Sequence, residues 1–194
     1  VNFYPFEKTL KETKNHNKII EKIDVGGPTM VRSAAKNYQD VTVITSSEQY
    51  KELIDELIKN KGSTTLEFRE KLSRIAFTET AYYDSVISNY FNNINNISFP
   101  NKKIFHANLI DIPRYGENPH QSSVFYSDSL HSAPSVANSV QVQGKQLSYN
   151  NLLDFDAALA IVMEFDDPTA VIVKHNNPCG VASSTNLLEA FNGA

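Results

Sequence analysis

The ten residues Val171–Gly180, VIVKHNNPCG, join an apolar run to a polar turn. The β-branched run that starts at Ala170 predicts a short buried strand ending at Val173. Lys174 and His175 then place an ammonium and an imidazole at its carboxyl end, where ligands bind in open α/β sheets. Burial beside an anionic ligand would tune both groups for proton transfer near neutral pH. A surface turn with incidental polar residues is the alternative that local composition leaves open.

The sequence before this strand predicts an α/β unit in the second half of the chain. Apolar residues recur at helical spacing from Asn151, and Pro168 ends the predicted helix. Segments 104–112, 124–127 and 140–147 have strand-like composition. Strand, helix and strand in this order are typical of α/β structure.

A second polar segment, Arg114–Gln121, is rich in hydrogen-bonding side chains. Arg114 can hold a phosphate with two parallel hydrogen bonds, and Tyr115 can stack on a base or donate its hydroxyl. Gly116 and Pro119 would hold the loop in a defined shape. A polar β-turn without a ligand is the alternative.

The first hundred residues predict a further α/β pattern. Val1–Phe6 is typical of a strand end that stops at Pro5, and Val41–Thr45 predicts a short strand. Helices are predicted over 29–37, from residue 50, and over about 66–91. The Asn-rich segment 92–103 has little hydrophobic periodicity and is the predicted domain boundary.

Asp24 and the glycines that follow it, Gly26 and Gly27, lie at a predicted helix N-terminus, with Pro28 in the first turn. Free N–H groups and the helix dipole there favour an oxyanion or carbonyl ligand. Adjacent glycines favour a special backbone path. Simple capping of the helix by Asp24 is the alternative.

The net charge, the hydropathy pattern and the cysteine count exclude several classes of protein. The 194 residues carry a net charge of −4, without the strongly basic face typical of nucleic-acid binding. No apolar run has the length of a membrane span, and no signal-peptide pattern opens the chain. The single cysteine, Cys179, excludes an internal disulfide and is typical of a reducing compartment, so we expect a cytoplasmic enzyme or binding domain. Because the chain lacks an initial Met and ends where a helix begins, we expect an internal fragment of a longer protein.

Zinc chemistry is not expected. Zinc-dependent deaminases need a Pro-Cys-x-x-Cys pair and a His-x-Glu. The dipeptide Pro178-Cys179 is present, but position 182 is alanine and no His-x-Glu occurs. Cys179 is expected to be a packed small residue rather than a nucleophile.

Five segments occur here in the order and at the spacing of one known family: Val1–Phe6, 22–29, 32–37, Arg114–Gln121 and Val173–Val181. Segments 76–84 and 149–151 also match. The chain thus resembles the bifunctional purine-biosynthesis enzymes that combine AICAR transformylase with IMP cyclohydrolase.

The resemblance implies an α/β fold divided near residue 100. Residues 1–99 would be the C-terminal part of an IMP cyclohydrolase domain, whose family fold is a methylglyoxal-synthase-like parallel sheet. Residues 100–194 would be the N-terminal part of an AICAR transformylase domain, which is cytidine-deaminase-like without zinc.

The resemblance also implies the site residues. Tyr4, Asp24 and Lys36 match positions used for ring closure, and Lys174 and His175 match the pair used for formyl transfer. Matches to substrate-binding positions are Asn2, Val25, Gly26, Arg114, Tyr115 and Asn151.

The implied function is formyl transfer from the cosubstrate 10-formyltetrahydrofolate to AICAR, giving FAICAR, then dehydrative ring closure of FAICAR to IMP. The family implies a cytoplasmic homodimer without a metal, a nucleic-acid partner or a membrane. Its upstream phosphate-binding segment and most of its transformylase are absent here, so we expect the chain alone to be inactive. A non-catalytic nucleotide-binding or oligomerisation module is the alternative.

Overall fold

In a computed structural model, the chain forms two compact units, Val1–His106 and Ala107–Ala194. Structure is described for residues 1–128, 130 and 133–194. Each unit has its own secondary structure.

The first unit is helical. Its helices are α1 (Phe6–Glu12), α2 (His16–Ile20), α3 (Gly26–Lys36), α4 (Tyr50–Lys59) and α5 (Leu66–Ile94), with a 3₁₀ turn at Ser47–Gln49. The helices predicted over 29–37, from 50 and over 66–91 are therefore confirmed, with α3 beginning three residues early.

The core of the first unit lies between α3 and α5. Val31 and Ala35 of α3 pack with Leu72 and Ala76 of α5, and Val43, from the segment before the 3₁₀ turn, belongs to the same cluster. Helix α5 is 29 residues long and begins at a capped end, where the Thr65 hydroxyl accepts from the Phe68 N–H. Burial of these apolar faces fixes how α3 and α5 pack.

The two strands predicted in the first unit do not form among the described residues. Residues 1–5 and 41–46 have no regular secondary structure, and no hydrogen-bonded ladder joins them. The Val1 amino group donates to the Ile44 carbonyl oxygen at 2.7 Å, so the two segments are in contact. Since a strand is defined by regular pairing with a neighbour, Val41–Thr45 does not become part of a sheet.

The second unit contains two short sheets and two helices. Its elements are β1 (Asn108–Asp111), β2 (Phe125–Ser127), α6 (Tyr149–Val162), β3 (Thr169–Lys174), β4 (Asn177–Ser183) and α7 (Leu187–Gly193), with a 3₁₀ turn at Val136–Asn138. The helix predicted from Asn151 is confirmed and begins two residues earlier. The predicted strand 140–147 does not form.

Both sheets of the described residues are antiparallel pairs, β1 with β2 and β3 with β4. The parallel sheet expected for residues 1–99 is therefore not found in the part of the chain that the structure describes. Strand β3 confirms the strand predicted over 170–173, but Ile172 is 42% exposed, so the strand is not fully buried. Residues 177–180, expected in a turn, belong to β4. The chain reverses within the two residues before them, so the second strand already begins at Asn177.

Candidate functional site

The first group of predicted site residues lies at the start of α3. The Asp24 carboxylate accepts two backbone hydrogen bonds, from the Gly27 N–H at 2.8 Å and from the Tyr4 N–H at 3.2 Å. A Cβ atom on residue 27 would lie 2.5 Å from the carboxylate, so glycine is needed for this close approach. Asp24 therefore accepts from the first turn of α3 and also links this helix start to the N-terminal segment.

Asn2 and Tyr4 line a cavity of about 310 Å³ in the first unit. The Tyr4 side chain is 54% exposed, and the Lys22 ammonium lies 5.8 Å from the centre of its ring. Val25 and Gly26 are also exposed, with no atom within 4 Å of a Cβ built on Gly26. A ligand at this end of α3 could therefore reach these backbones and the Tyr4 side chain.

Lys36 is not brought to this end. It is the last residue of α3, and Gly26 is the first. At a rise of 1.5 Å per residue, the helix separates the two by about 15 Å. The structure thus brings Tyr4 and Asp24 together and leaves Lys36 at the opposite end of the helix.

The second group lies at the hairpin between β3 and β4. Lys174 pairs with Asn177 across the hairpin, and His175 and Asn176 form the two-residue turn. Both turn residues have left-handed backbones, with φ of 52° and 60°, which is the geometry of a type I′ turn. The Lys174 and His175 side chains are exposed. A tight turn therefore presents both side chains to solvent.

The polar loop Arg114–Gln121 is closed by its own hydrogen bonds. The Gly116 N–H donates to the Gln121 carbonyl oxygen at 2.7 Å, and the Asn118 N–H donates to the Gln121 side chain at 2.7 Å. A Cβ on residue 116 would lie 2.9 Å from the Gln121 Cβ. The Arg114 guanidinium lies 5.6 Å from the centre of the Tyr115 ring, a cation–π contact.

The start of α6 holds both of these loops. The Tyr149 N–H donates to the Tyr115 carbonyl oxygen at 3.4 Å, and the Asp154 carboxylate accepts from the Asn176 N–H at 2.8 Å. Five residues of helix separate these anchor points, about 7.5 Å along the axis. The first two turns of α6 thus connect the Arg114 loop to the turn that carries His175.

Asn151 has a structural role at the same helix start. Its side-chain oxygen accepts from the Ser148 N–H at 3.1 Å, and its own N–H donates to the Ser148 hydroxyl at 3.3 Å. This reciprocal capping box fixes where α6 begins. The amide oxygen of Asn151 is therefore already engaged.

Two further features bear on the chemistry. Among residues 1–128, 130 and 133–194, no group of three or more His, Cys, Asp or Glu side chains could hold a metal ion, and no helix is long and apolar enough to cross a membrane. Cys179, expected to be packed, is exposed, with its sulfur 3.4 Å from the Ile172 carbonyl oxygen. It is exposed because it lies in β4, outside any core.

A larger cavity in the second unit, about 520 Å³, lies apart from Lys174 and His175. The apolar side of α6 and the segment 136–143 line most of it, and neither member of the pair contributes to its lining.

Residues 34–194 match the model of the AICARFT/IMPCHase bienzyme family. The chain belongs to this family. The resemblance stated from the sequence is therefore confirmed.

Relatives of the bienzyme family match the whole chain. The chain is 48% identical over 197 residues to the bifunctional purine biosynthesis protein PurH of Bradyrhizobium diazoefficiens, covering all of the chain and 37% of that protein. Identity to PurH of Cereibacter sphaeroides strain ATCC 17025 is 47% with the same coverage. For PurH of Listeria welshimeri, identity is 47% over 98% of the chain and 38% of the relative. The chain thus spans somewhat over a third of the length of these bienzymes.

Two residues that support the site escaped the sequence analysis. Asp154 anchors the hairpin turn, and Tyr83 of α5 contacts the backbone of Asp24. Tyr83 lies in the predicted helix 66–91 and in the family-matching segment 76–84, and Asp154 lies in the helix predicted from Asn151, but the sequence assigns neither a hydrogen-bond partner. The only signal in the sequence is a side chain with a hydrogen-bonding group within a predicted helix. Such a signal does not identify the residue to which that group hydrogen-bonds.

Proposed function

We propose that this chain carries parts of two active sites of the bienzyme family, which together convert AICAR to IMP by way of FAICAR. The observation that carries the proposal is the distribution of the site residues. Tyr4 and Asp24 lie together in the first unit, and the Arg114 loop and the Lys174–His175 turn are both anchored to α6 in the second. Family membership supplies the two reactions.

In ring closure, the carboxamide nitrogen of FAICAR attacks the formyl carbon, and the formyl oxygen leaves as water with one proton from each nitrogen. Asp24 would orient or deprotonate the amide, and Tyr4 would stabilise charge on the formyl oxygen or protonate the leaving hydroxyl. Asn2, Val25 and Gly26 would contact the base. Lys36 stays in this proposal on the family pattern alone, because α3 separates it from Asp24.

In formyl transfer, the AICAR amine attacks the formyl carbon of 10-formyltetrahydrofolate, and the bond to the folate nitrogen breaks as that nitrogen takes up a proton. A neutral His175 would remove the proton from the amine, and Lys174 would stabilise the oxyanion. Arg114, Tyr115 and Asn151 would bind the substrate. Exposure of Lys174 and His175 on a tight turn supports this assignment.

The proposed domain types are a methylglyoxal-synthase-like IMP cyclohydrolase part over 1–99 and a cytidine-deaminase-like AICAR transformylase part over 100–194. Contact between segments 1–5 and 41–46, with residues of α3 and α5 packed against Phe3 and Val43, supports the first. A helix followed by strand β3 supports the second. The complete protein is proposed to be a cytoplasmic homodimer that uses a folate cosubstrate and no metal.

The test uses a chimaeric protein in which this chain replaces the matching segment of the Bradyrhizobium diazoefficiens relative. Formyl transfer and cyclisation of supplied FAICAR are measured separately. His175→Ala should abolish formyl transfer and spare cyclisation, and Lys36→Ala should do the reverse. Lys59→Ala is the matched control for Lys36, because Lys59 is likewise the last residue of a helix, α4. If both activities survive both substitutions, the site assignment is wrong.

A further inference from the structure

Tyr83 of α5 is the one described side chain that hydrogen-bonds on both sides of Ile23, just before α3. Its hydroxyl oxygen accepts from the Asp24 N–H at 2.8 Å, and its O–H donates to the Lys22 carbonyl oxygen at 3.1 Å. The residue is only 8% exposed. One buried phenol therefore fixes the backbone on which the Asp24 carboxylate is carried.

The ring of Tyr83 also contacts the other segment of the site. Its centre lies 5.1 Å from that of Phe3, which stands between Asn2 and Tyr4, and 6.2 Å from that of Phe6. Such tilted and edge-on aromatic pairs are favourable packing geometries. The ring holds the N-terminal segment, and the hydroxyl holds the backbone at Asp24.

The pKa of the Tyr83 hydroxyl is consistent with a phenol that both donates and accepts a hydrogen bond. Burial raises the pKa of the Tyr83 hydroxyl, and the Asp24 N–H lowers it by less than burial raises it. The nearby Asp24 and Asp84 carboxylates raise this pKa further. The hydroxyl therefore stays protonated throughout the neutral range and continues to donate to Lys22.

We propose that Tyr83 is a positioning residue for Asp24 in ring closure. Its phenol holds the Asp24 backbone and does not touch the substrate. The inference rests on the proposed function. Removal of the hydroxyl alone would free residues 22–24, while the ring would still hold Phe3 and its neighbours. Loss of Tyr83 hydrogen bonding should therefore lower kcat more than it raises KM.

The test compares Tyr83→Phe with Tyr90→Phe in the chimaeric protein. Tyr90 lies on the same helix, and its hydroxyl also hydrogen-bonds, to His16 Nδ1 at 2.8 Å, in a position remote from Asp24. Both variants lose one hydroxyl and keep the ring. Formyl transfer, assigned to the second unit, reports whether that unit is intact, and protection of the α5 amides against hydrogen exchange reports whether the first unit is folded.

Tyr83→Phe should lower kcat for cyclisation of FAICAR by about tenfold, the effect of losing one or two hydrogen bonds. KM for FAICAR should change by less than about threefold, because the base-contacting segment is still held. Formyl transfer should be unchanged, and Tyr90→Phe should alter neither activity. Unchanged cyclisation in Tyr83→Phe, or an equal loss in Tyr90→Phe, would overturn the inference.

Amide hydrogen exchange, measured in the same chimaeric protein, tests the inference independently of enzymatic activity. In Tyr83→Phe the Asp24 amide should exchange faster, while amides of α5 keep their protection. An unchanged Asp24 amide would also overturn the inference. A wild-type chimaera that performs neither reaction would instead overturn the proposed function, so the two failures are distinguishable.

Discussion

Asp154 shows at the scale of a single residue how a helix can position a turn. Its carboxylate accepts from the Asn176 N–H, directly beside His175. Both turn residues have positive φ, a backbone that non-glycine residues adopt at some cost. An acceptor on α6 helps to hold that turn in one conformation, as the catalytic role proposed for Lys174 and His175 requires.

Asp154→Ala should therefore weaken formyl transfer in the chimaeric protein by about tenfold, the effect of losing one hydrogen bond to a charged group. Asp154→Asn retains an acceptor oxygen and should keep most of the activity. Initial rates of formyl transfer measure both, with cyclisation as the internal control. Equal activity in the alanine and asparagine variants would show that the hydrogen bond does not position the turn.

At the scale of the element, Glu56 joins helix α4 to the start of α5. Its carboxylate accepts from both the N–H and the hydroxyl of Thr65, at 2.9 and 2.8 Å. Thr65 in turn caps α5 through the Phe68 N–H. These hydrogen bonds, with the Thr65 N–H foremost, lower the pKa of the Glu56 carboxyl. The connection between α4 and the start of α5 therefore depends on the ionised Glu56 carboxylate.

A lowered carboxyl pKa in the folded state stabilises the fold above the unfolded pKa, and this contribution is lost as the pH falls through the folded pKa. Glu56→Gln should thus lower Tm most near neutral pH, and the difference from the parent should shrink in acid. Thermal unfolding across the acid range measures it. Glu70→Gln is the control, since the exposed Glu70 side chain makes no hydrogen bond or ion pair among residues 1–128, 130 and 133–194. A difference that is constant with pH would contradict the assignment.

At the scale of the whole molecule, the chain has two compact units, each with its own packing. Leu72, 1% exposed, is central to the α3–α5 core of the first. The second unit is built on the β3–β4 hairpin, α6 and α7. Because each unit is compact by itself, we expect that one unit can lose stability without the other.

Leu72→Ala should cost the first unit about 2–5 kcal/mol through lost transfer energy and a cavity. Hydrogen exchange measured by mass spectrometry should show faster exchange across residues 1–106 and unchanged protection across 107–194. Ala81→Gly, at an exposed position of the same helix, is a milder control with an expected cost of about 1 kcal/mol. Joint loss of protection in both units would contradict their independence.

Local sequence alone determined the helices: periodic apolar residues predicted α4, α5 and α6, and helix-forming residues after Pro28 predicted α3. The apolar face of a helix is encoded within a few turns of chain. Composition alone also singled out the Arg114 loop and the Lys174–His175 turn, since polar residues and glycine cluster where chains turn. The motif order was specific enough to identify the family. These are local or linear properties of the sequence.

Only the tertiary structure decided which segments pair and which side chains meet. Val41–Thr45 has strand composition but no ladder, and β3 turns back into an antiparallel hairpin rather than a parallel layer. Tyr83 reaches Asp24 across 59 residues, whereas Lys36, only twelve residues from Asp24, lies at the far end of a helix. The physical reason is that strand pairing and hydrogen bonds between distant residues depend on how whole elements pack, which no local window of sequence contains.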